Sequence, residues 1–355
     1  MSSLRVALIA SARHPITEPF AGGLEAHTWG LAHALITRGH EVELFAAPGS
    51  DPALRARELP VRTVALSPAA CSDASMPSAT WMREHHAYLS LMLDLARDGA
   101  DRFDIVHNNS LHYLPIAMAS ALRVPVITTL HTPPTPWLES AIQTHDRCPV
   151  VFTAVSRYTA SAWHPVVPAA RVVRNGIDTG VWQAGPGGSD LAWSGRLVPE
   201  KGPHLAIRAA RAAGVPLHLA GPISDAQFFE EQVAPLLGDG VDYVGHLDRH
   251  ELAHLLGTSA AALVTPGWAE PYGLVVAEAL ACGTPVCGFD RGALAEILTP
   301  DCGRLAPPGD VDALAALIPQ VMQLDRHAAR RRAERFCSLE RTADAYTALY
   351  DEVAR

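Results

Sequence analysis

The chain contains a single lysine, Lys201, among 28 lysine and arginine residues in total. Lys201 lies in the segment 195–202, GRLVPEKG, five residues after Arg196. An ammonium is a compact charge that can contact several phosphate oxygens, whereas a guanidinium binds them as a planar fork. A later segment, residues 268–278 with the sequence WAEPYGLVVAE, places Glu270 and Glu278 on either side of a glycine. Together these groups could hold a nucleotide diphosphate that carries a sugar.

Transfer of such a sugar breaks the anomeric C–O bond while negative charge accumulates on the departing phosphate. The main catalytic requirement is to stabilise that charge and to hold the sugar in line. Arg196 and Lys201 would supply two cations. The backbone amides of Gly273, Leu274 and Val275, at a predicted helix start, would donate hydrogen bonds to phosphate oxygens. These groups could together replace a metal ion.

The two acidic residues of the later segment suggest separate roles. Glu270 lies just before the predicted helix and could reach sugar hydroxyls, whereas Glu278 follows about two turns inside it. A carboxylate in so apolar a run requires a partner, and two ribose hydroxyls would provide one. Taken singly, these segments also fit an exposed turn, an acidic first helical turn or a solvated helix face. Their joint occurrence at this interval favours the binding site.

Short apolar runs alternate with helical patterns, which predicts an α/β fold of two doubly wound domains with parallel sheets facing each other across a cleft. The 355 residues and the 48% apolar content fit two cores. We predict strands at residues 5–10, 41–46, 104–107, 124–130 and 150–155, and again at 191–195, 217–220, 241–244, 261–264 and 285–288. The expected domains are 1–180 and 181–337. Residues 338–355 would form a helix that packs back on the first domain.

Charge and cysteine usage restrict the partners. Residues 1–185 carry 14 basic against 15 acidic residues, and the remainder carries 14 against 22. Neither half has a basic stripe with interleaved aromatic residues, so nucleic acid is not an expected partner. The cluster Arg330, Arg331, Arg332 and Arg335 is interpreted as a solvated helix face. Six scattered cysteines, no signal-peptide pattern and no apolar run of about 18–20 residues favour a cytoplasmic protein without a membrane span.

Among the 17 histidines, a metal site is suggested most by five residues of the first half, but their spacing is not that of a zinc site: His85, His86, His107, His112 and His131. None of these histidines lies in a His-Glu-x-x-His arrangement. The pair Asp310 and Asp312 opens a predicted helix, where capping by Asp310 explains it better. We therefore expect catalysis without a metal ion or other cofactor.

Segments 195–202 and 268–287 resemble the donor site of the retaining GT-B glycosyltransferases of family 4, the glycogen-synthase-like and mannosyltransferase-like group. The resemblance runs through nearly the whole chain and includes the Gly22-Gly23 pair, residues 104–107, His131, Ser156-Arg157 and residues 175–178. It implies the GT-B fold, with two Rossmann-like domains. It also implies transfer with retention of anomeric configuration, by front-face attack without an enzymic nucleophile.

The resemblance implies a role for each matching residue. Arg196 and Lys201 would bind the diphosphate, Glu270 the sugar hydroxyls and Glu278 the ribose. His131 would lie near the sugar C6 hydroxyl and the reacting centre. The implied catalytic set is His131, Glu270, Arg196 and Lys201, and the implied donor contacts are Gly22, Gly23, Arg196, Lys201, Leu247, Glu270, Tyr272, Gly273, Leu274, Val275 and Glu278. Two positions differ from the usual pattern of the family. Tyr272 occupies a position where phenylalanine is commoner, and Leu339 occupies one where a tryptophan often precedes Glu340.

The acceptor and the donor base are less constrained. We expect the first domain to bind the acceptor through His14, Glu25, His107, Asn108 and Asn109, beside the glycine pair and His131. The nearly neutral charge of this half favours a soluble carbohydrate, glycoside or natural product over an anionic membrane surface. UDP is the expected nucleotide, with GDP second. A sugar-nucleotide epimerase and a non-catalytic nucleotide-sugar-binding subunit are the alternatives.

Overall fold

The structure is a computed structural model that describes residues 3–59, 66–75 and 78–354. Its strands form two separate sheets. The first sheet contains β1 (Arg5–Ile9), β2 (Glu41–Ala46), β3 (Ala56–Glu58), β4 (Ile105–Asn108), β5 (Val126–Leu130), β6 (Val150–Ala154) and β7 (Arg171–Val172). The second contains β8 (Leu191–Ser194), β9 (Leu217–Ala220), β10 (Val241–Gly245), β11 (Ala261–Val264), β12 (Val286–Phe289) and β13 (Gly303–Ala306).

Helices connect the strands in both halves. The first half contains α1 (Gly23–Thr37), α2 (Pro68–Cys71), α3 (Ala79–Arg102), α4 (Leu114–Ala117), α5 (Pro136–Gln143) and α6 (Arg157–Trp163). The second half contains α7 (Pro203–Ala213), α8 (Ala226–Phe228), α9 (Arg249–Gly257), α10 (Leu274–Ala281), α11 (Leu294–Ile297), α12 (Val311–Val321) and α13 (Arg326–Phe336), followed by α14 (Leu339–Val353). Asp310 caps α12 through its side chain, as expected from the sequence. None of the helices in the described ranges is both long and apolar enough to span a bilayer.

Both sheets are doubly wound. The strand orders are β3-β2-β1-β4-β5-β6-β7 and β10-β9-β8-β11-β12-β13, and every pairing is parallel. In β1, Ala7 and Ile9 enter one hydrophobic cluster while Val6 and Leu8 enter another, so helices cover both sheet faces. Continuous apolar strands are the expected consequence of burial on both faces. The predicted architecture of two facing Rossmann-like domains is confirmed.

Helix α14 belongs to the core of the first sheet, although it follows the second sheet in the chain. Tyr346 and Tyr350 are fully buried among side chains of β1, β2 and β4. The Tyr350 hydroxyl lies 2.6 Å from Nδ1 of His107, and the Tyr346 hydroxyl lies 2.9 Å from Oγ1 of Thr129. The N-terminal lobe is therefore built from α14 together with the first sheet and its helices.

The chain crosses between the two lobes at two points that lie side by side. At these crossings, the Ile177 amide donates to the Cys337 carbonyl at 2.8 Å, and the Leu339 amide donates to the Ile177 carbonyl at 3.0 Å. These two hydrogen bonds join the outgoing and the returning segment into one short bridge. Any relative motion of the lobes must bend both segments together.

The arginine cluster of α13 is not a uniformly solvated face, and this part of the sequence interpretation was wrong. Arg330 donates hydrogen bonds to the carbonyls of Trp182, Ala281 and Thr179. Arg332 donates to the carbonyls of Ile297 and Glu296 at 2.6 and 2.7 Å. Both guanidinium groups satisfy carbonyl groups at the ends of neighbouring segments, whereas Arg331 and Arg335 are exposed.

Replacing Arg330 with alanine is expected to lower the free energy of unfolding by about 2–4 kcal/mol. The loss would arise because three backbone carbonyls lose charged donors in a partly buried position. Chemical denaturation of the variant checks this value. Arg335→Ala is the matched control on the same helix and should change stability by less than about 0.5 kcal/mol. Equal effects for the two variants would contradict the structural role of Arg330.

Candidate active site

The carboxyl ends of the strands in both sheets face one cavity of about 340 Å³. On the N-terminal side it is lined by the loop after β1, the start of α1 and the loop after β5. On the C-terminal side it is lined by the loops after β8, β9, β10 and β11. Ligands of doubly wound sheets bind at this end of the strands, where loops are free to vary. The cavity is therefore the candidate site.

Lys201 points into this cavity and is held by a carboxylate. It ends the short 3-10 turn Pro199–Lys201, and its Nζ lies 2.6 Å from Oε2 of Glu270. The Trp268 indole donates a hydrogen bond to the same oxygen at 3.2 Å. The two charged side chains are only 23% and 13% exposed. The segment containing Lys201 is indeed a turn, but its side chain is not an ordinary surface group.

Arg196 also lines the cavity on this side. It follows Gly195 at the end of β8, and its guanidinium lies 3.5 Å from the carboxylate of Glu200. Both side chains of this pair are 41% exposed, so water screens the interaction. Its weak pairing leaves Arg196 free to exchange Glu200 for an anionic ligand.

The N-terminus of α10 opens into the same cavity. Gly273 is its N-cap residue and has a φ of 99°, a conformation that residues with a side chain rarely adopt. It supplies no side-chain cap, and the first N–H groups of a helix have no intrahelical partner. The amides of Gly273, Leu274 and Val275 could therefore bind an anion in the cavity that Glu270, Lys201 and Arg196 also line.

Glu278 lines the cavity one helical turn further along. It is the fifth residue of α10, so it lies closer to the helix start than the two turns expected from the sequence, because residues 270–273 form a loop. Within the described ranges, no cation or hydrogen-bond donor offsets its burial. Burial accordingly raises the pKa of its carboxyl group from 4.5 to about 7. This carboxyl group would accept hydrogen bonds from a ligand.

The glycine pair brings the N-terminal lobe against this helix end. A Cβ atom at Gly23 would lie 3.1 Å from Cδ1 of Leu274, and one at Gly22 would lie 3.3 Å from the Glu25 carboxylate and 3.9 Å from Arg196. Larger side chains would push the loop out of the cavity. The absence of side chains at Gly22 and Gly23 therefore allows the two lobes to approach closely over the site.

His131 and His27 form the N-terminal wall of the site. Nε2 of His131 lies 2.7 Å from Oδ1 of Asn109, and the His27 ring meets the His131 ring edge-on at 5.2 Å between centroids. Burial lowers the pKa of His131 well below its usual value and that of His27 to about 4. Both rings are thus neutral near pH 7 and can donate or accept hydrogen bonds without repelling the nearby cations.

His27 was not identified from the sequence. It is 2% exposed, and neither of its ring nitrogens has a hydrogen-bond partner among the described residues. The signal that could have found it is its position four residues after Gly23 on α1, which places both on one helix face.

The residues expected to form the acceptor rim are only partly at the cavity. His107 and Asn108 are fully buried, and the two ring nitrogens of His107 contact Tyr350 and Thr129. The structure therefore places both in the core and not on the rim. His107 lies under α14, whereas Asn108 contacts Thr128 and Ser110. Asn109 is also buried and contacts the site through His131, whereas His14 is exposed.

The remaining expected residues lie close to the cavity. Glu25 is 5% exposed on α1, and its burial raises the pKa of its carboxyl group. Leu247 and Tyr272 both line the cavity, and Tyr272 is 3% exposed. Among the described residues there is no cluster of three or more His, Cys, Asp or Glu side chains suited to a metal ion.

The Ser156-Arg157 segment joins the lobes beside the site. The Ser156 hydroxyl donates to the Pro271 carbonyl at 2.6 Å, next to Glu270. The Glu296 carboxylate of the C-terminal lobe accepts from the amides of Arg157 and Tyr158 at 3.1 and 2.6 Å, at the start of α6. The Ser156 contact fixes the loop that carries Glu270 to the opposite lobe, and the Glu296 contacts fix α11 to the same lobe.

Comparison with known proteins assigns the chain to a family. The family model described as "Glycosyltransferase Family 4" matches residues 21–181, and the model "Glycosyl transferases group 1" matches residues 184–336. The glycogen synthase of Mycobacterium tuberculosis is 31% identical, over 88% of this chain and 85% of its own length. The MMP alpha-(1->4)-mannosyltransferase of Mycolicibacterium hassiacum is 26% identical, over 98% of both chains.

A solved structure agrees with this fold. The Anabaena protein HepE, in complex with UDP and glucose, superposes with a TM-score of 0.76 at 18% identity, over 98% of this chain and 99% of that chain. The fold and cavity thus define a GT-B protein. The chain belongs to the family 4 glycosyltransferases, and it is a glycosyltransferase of this type.

Proposed function

We propose that the protein transfers a hexose from a nucleotide diphosphate sugar to an acceptor hydroxyl, with retention of configuration and without a metal ion. The observation that supports this best is that Arg196, Lys201 and the start of α10 line the same cavity, opposite His131. UDP is the favoured nucleotide and GDP the second. UDP is tested first because a protein of the same fold was solved with UDP and glucose.

In this proposal the donor diphosphate displaces carboxylates from both cations. Lys201 would exchange Glu270 for phosphate oxygens, which frees Glu270 to accept hydrogen bonds from the sugar hydroxyls. Arg196 and the α10 amides would complete the anion site, and Glu278 would accept from the ribose hydroxyls. Neutral His131 would orient the sugar from the other lobe. These positions assign one part of the donor to each group.

The chemical step would take place on one face of the sugar. The acceptor oxygen forms a bond to the anomeric carbon as the bond from that carbon to the phosphate oxygen breaks. The acceptor proton passes to the leaving phosphate oxygen, so no enzymic nucleophile is required. The cations and the helix end stabilise the negative charge that develops on the diphosphate.

The test is a thermal-shift panel of UDP-glucose, GDP-mannose, ADP-glucose and TDP-glucose, with and without EDTA. A true donor should raise Tm through preferential binding to the folded protein. With that donor and a sugar acceptor, NMR should show that the new linkage in the product has the same anomeric configuration as the donor. Turnover that is abolished by EDTA and restored by a divalent ion would contradict the metal-free proposal. Conversion of the donor to an epimer without acceptor would favour an epimerase.

Glu278→Gln separates the ligand role of this residue from a structural one. Because the folded-state pKa is raised from 4.5 to about 7, the folded protein loses stability as pH rises through this interval. The glutamine variant should therefore be more stable than the wild type at pH 8, by about 3 kcal/mol, and nearly equal at pH 4, below the unfolded-state pKa. It should also bind the donor more weakly at pH 8. A variant that melts earlier at pH 8 with unchanged donor affinity would contradict this.

A further inference from the structure

A column of stacked aromatic rings runs from the core of the N-terminal lobe to its surface. Tyr88, buried on α3, is fixed by hydrogen bonds from its hydroxyl to the Ala10 carbonyl and from the Ala12 amide. His112 stacks on Tyr88 at 4.4 Å and 23°. Tyr113 stacks on His112 at 4.8 Å, and Trp137 stacks on Tyr113 at 5.3 Å. The outer ring is therefore held on a rigid support.

The surface end of this column is an exposed aromatic platform formed by Trp81, Tyr113 and Trp137. Trp137 is 59% exposed and Trp81 is 37% exposed, and their rings contact each other at 6.4 Å and 44°. Trp81 is in turn stacked on His85 at 5.1 Å and 11°. Exposed indoles grouped on a fixed support are typical of a binding surface.

The platform adjoins the proposed transfer site. Leu111 lines the cavity and is 43% exposed. Tyr113 follows it by two residues, so their Cα atoms are at most about 7 Å apart. Thr132 also lines the cavity, and α5, which carries Trp137, begins four residues later. A ligand that extends from the cavity over Leu111 reaches the platform directly.

The chemistry of the platform fits a sugar ring. A pyranose has an apolar C–H face that packs on an indole and hydroxyls around its edge. The Tyr113 hydroxyl lies 3.2 Å from Nδ1 of His85, so polar groups border the rings. Burial lowers the pKa of His85 and His112, which keeps both rings uncharged near pH 7.

The geometry disfavours a flat aromatic ligand. Such a ligand would gain most from insertion between two parallel rings that are separated by two stacking distances. Trp81 and Trp137 are in contact and inclined, so they present an open surface without a slot. Arg83 and Arg97 are the arginines of α3 that are nearest in sequence to Trp81. They do not form a basic cluster of the kind that binds anionic lipid.

We propose that Trp81, Tyr113 and Trp137 bind a further sugar ring of an oligosaccharide acceptor whose reactive end occupies the cavity. This inference depends on the proposed transferase function and specifies its acceptor as a carbohydrate of more than one ring. The platform would determine affinity for long acceptors without contacting the reacting atoms.

The experiment compares wild type with the double variant Trp81→Ala/Trp137→Ala and with the control Leu93→Ala. Leu93 is 54% exposed on the same helix as Trp81 but outside the platform. Binding of maltoheptaose, α-mannohexaose, cellohexaose and chitohexaose is measured by calorimetry. At least one should bind the wild type and the control, and the double variant should bind it about tenfold more weakly or worse. In the double variant, KM for that oligosaccharide should rise. KM for a monosaccharide glycoside and the rate of donor hydrolysis should not change.

Three results would overturn the proposal: no binding of any of the four oligosaccharides, equal binding by the double variant, or tryptophan-dependent binding of phosphatidylglycerol vesicles in place of oligosaccharides. Failure of the transferase function itself is distinguished by the nucleotide panel. Without any thermal shift by nucleotide sugars, tryptophan-dependent oligosaccharide binding would still support the platform as a carbohydrate site.

Discussion

Lys201→Ala is expected to lower kcat/KM for the donor by about 10²–10³-fold, the usual effect of removing one preorganised group that stabilises charge in the transition state. The structure places the ammonium 2.6 Å from the Glu270 carboxylate inside the cavity. Loss of the ammonium removes a cation from the phosphate site and leaves Glu270 without its partner. Steady-state kinetics with the donor, together with calorimetric affinity for the nucleotide diphosphate, measure the effect.

Two variants make this test specific. Lys201→Arg retains the charge but replaces a compact ammonium with a planar fork, so it should restore only a small part of the activity. Arg208→Ala removes an exposed cation from α7, the helix that follows Lys201, and should leave the kinetics unchanged. If Lys201→Ala retained normal nucleotide affinity and turnover, the lysine would serve only to neutralise Glu270.

Gly221→Ala is expected to destabilise the C-terminal lobe and to lower kcat/KM by about 100-fold. Gly221 follows β9 with a φ of 140°, and a Cβ atom there would lie 1.9 Å from the carbonyl oxygen of Gly195. The clash and the backbone strain together should cost about 2–5 kcal/mol. Relief of the clash requires that the backbones of Gly221 and Gly195 move apart, which would displace the neighbouring Arg196. Denaturant unfolding and donor kinetics would both report it.

Gly214→Ala is the matched control for this effect. Gly214 also has a positive φ, of 69°, but a Cβ atom there would meet no atom within 4 Å. This variant should show the backbone cost alone, about 1 kcal/mol, with normal kinetics. Equal losses of activity in the two variants would show that the close approach of Gly221 to Gly195 does not position Arg196.

The central strands could be predicted from the sequence, whereas several edge strands could not. Strands such as β1 and β5 are buried on both faces and therefore read as continuous apolar runs. β3, β7 and β13 were missed, and each lies at the edge of its sheet. An edge strand has one neighbour and borders solvent, so a short polar sequence such as that of β3 carries no clear periodic signal.

The candidate site could be predicted where one short segment determines the geometry. The loop from Glu270 into α10 depends on local residues, and its glycine and proline indicate a helix start. The placement of His107 depends on Tyr350, 243 residues later in the chain, and no local pattern indicates that α14 covers the end of β4. The stacking of Trp137 on Tyr113 likewise joins two separate connections and is visible only in three dimensions.

The position of α14 has a consequence for biosynthesis. During translation the whole C-terminal lobe leaves the ribosome before α14, yet Tyr346 and Tyr350 complete the interior of the N-terminal lobe. Until then His107 lacks its tyrosine partner and the first sheet exposes part of one apolar face. The lobe that is synthesised first is therefore finished second, and the nascent chain must remain soluble with that half incomplete.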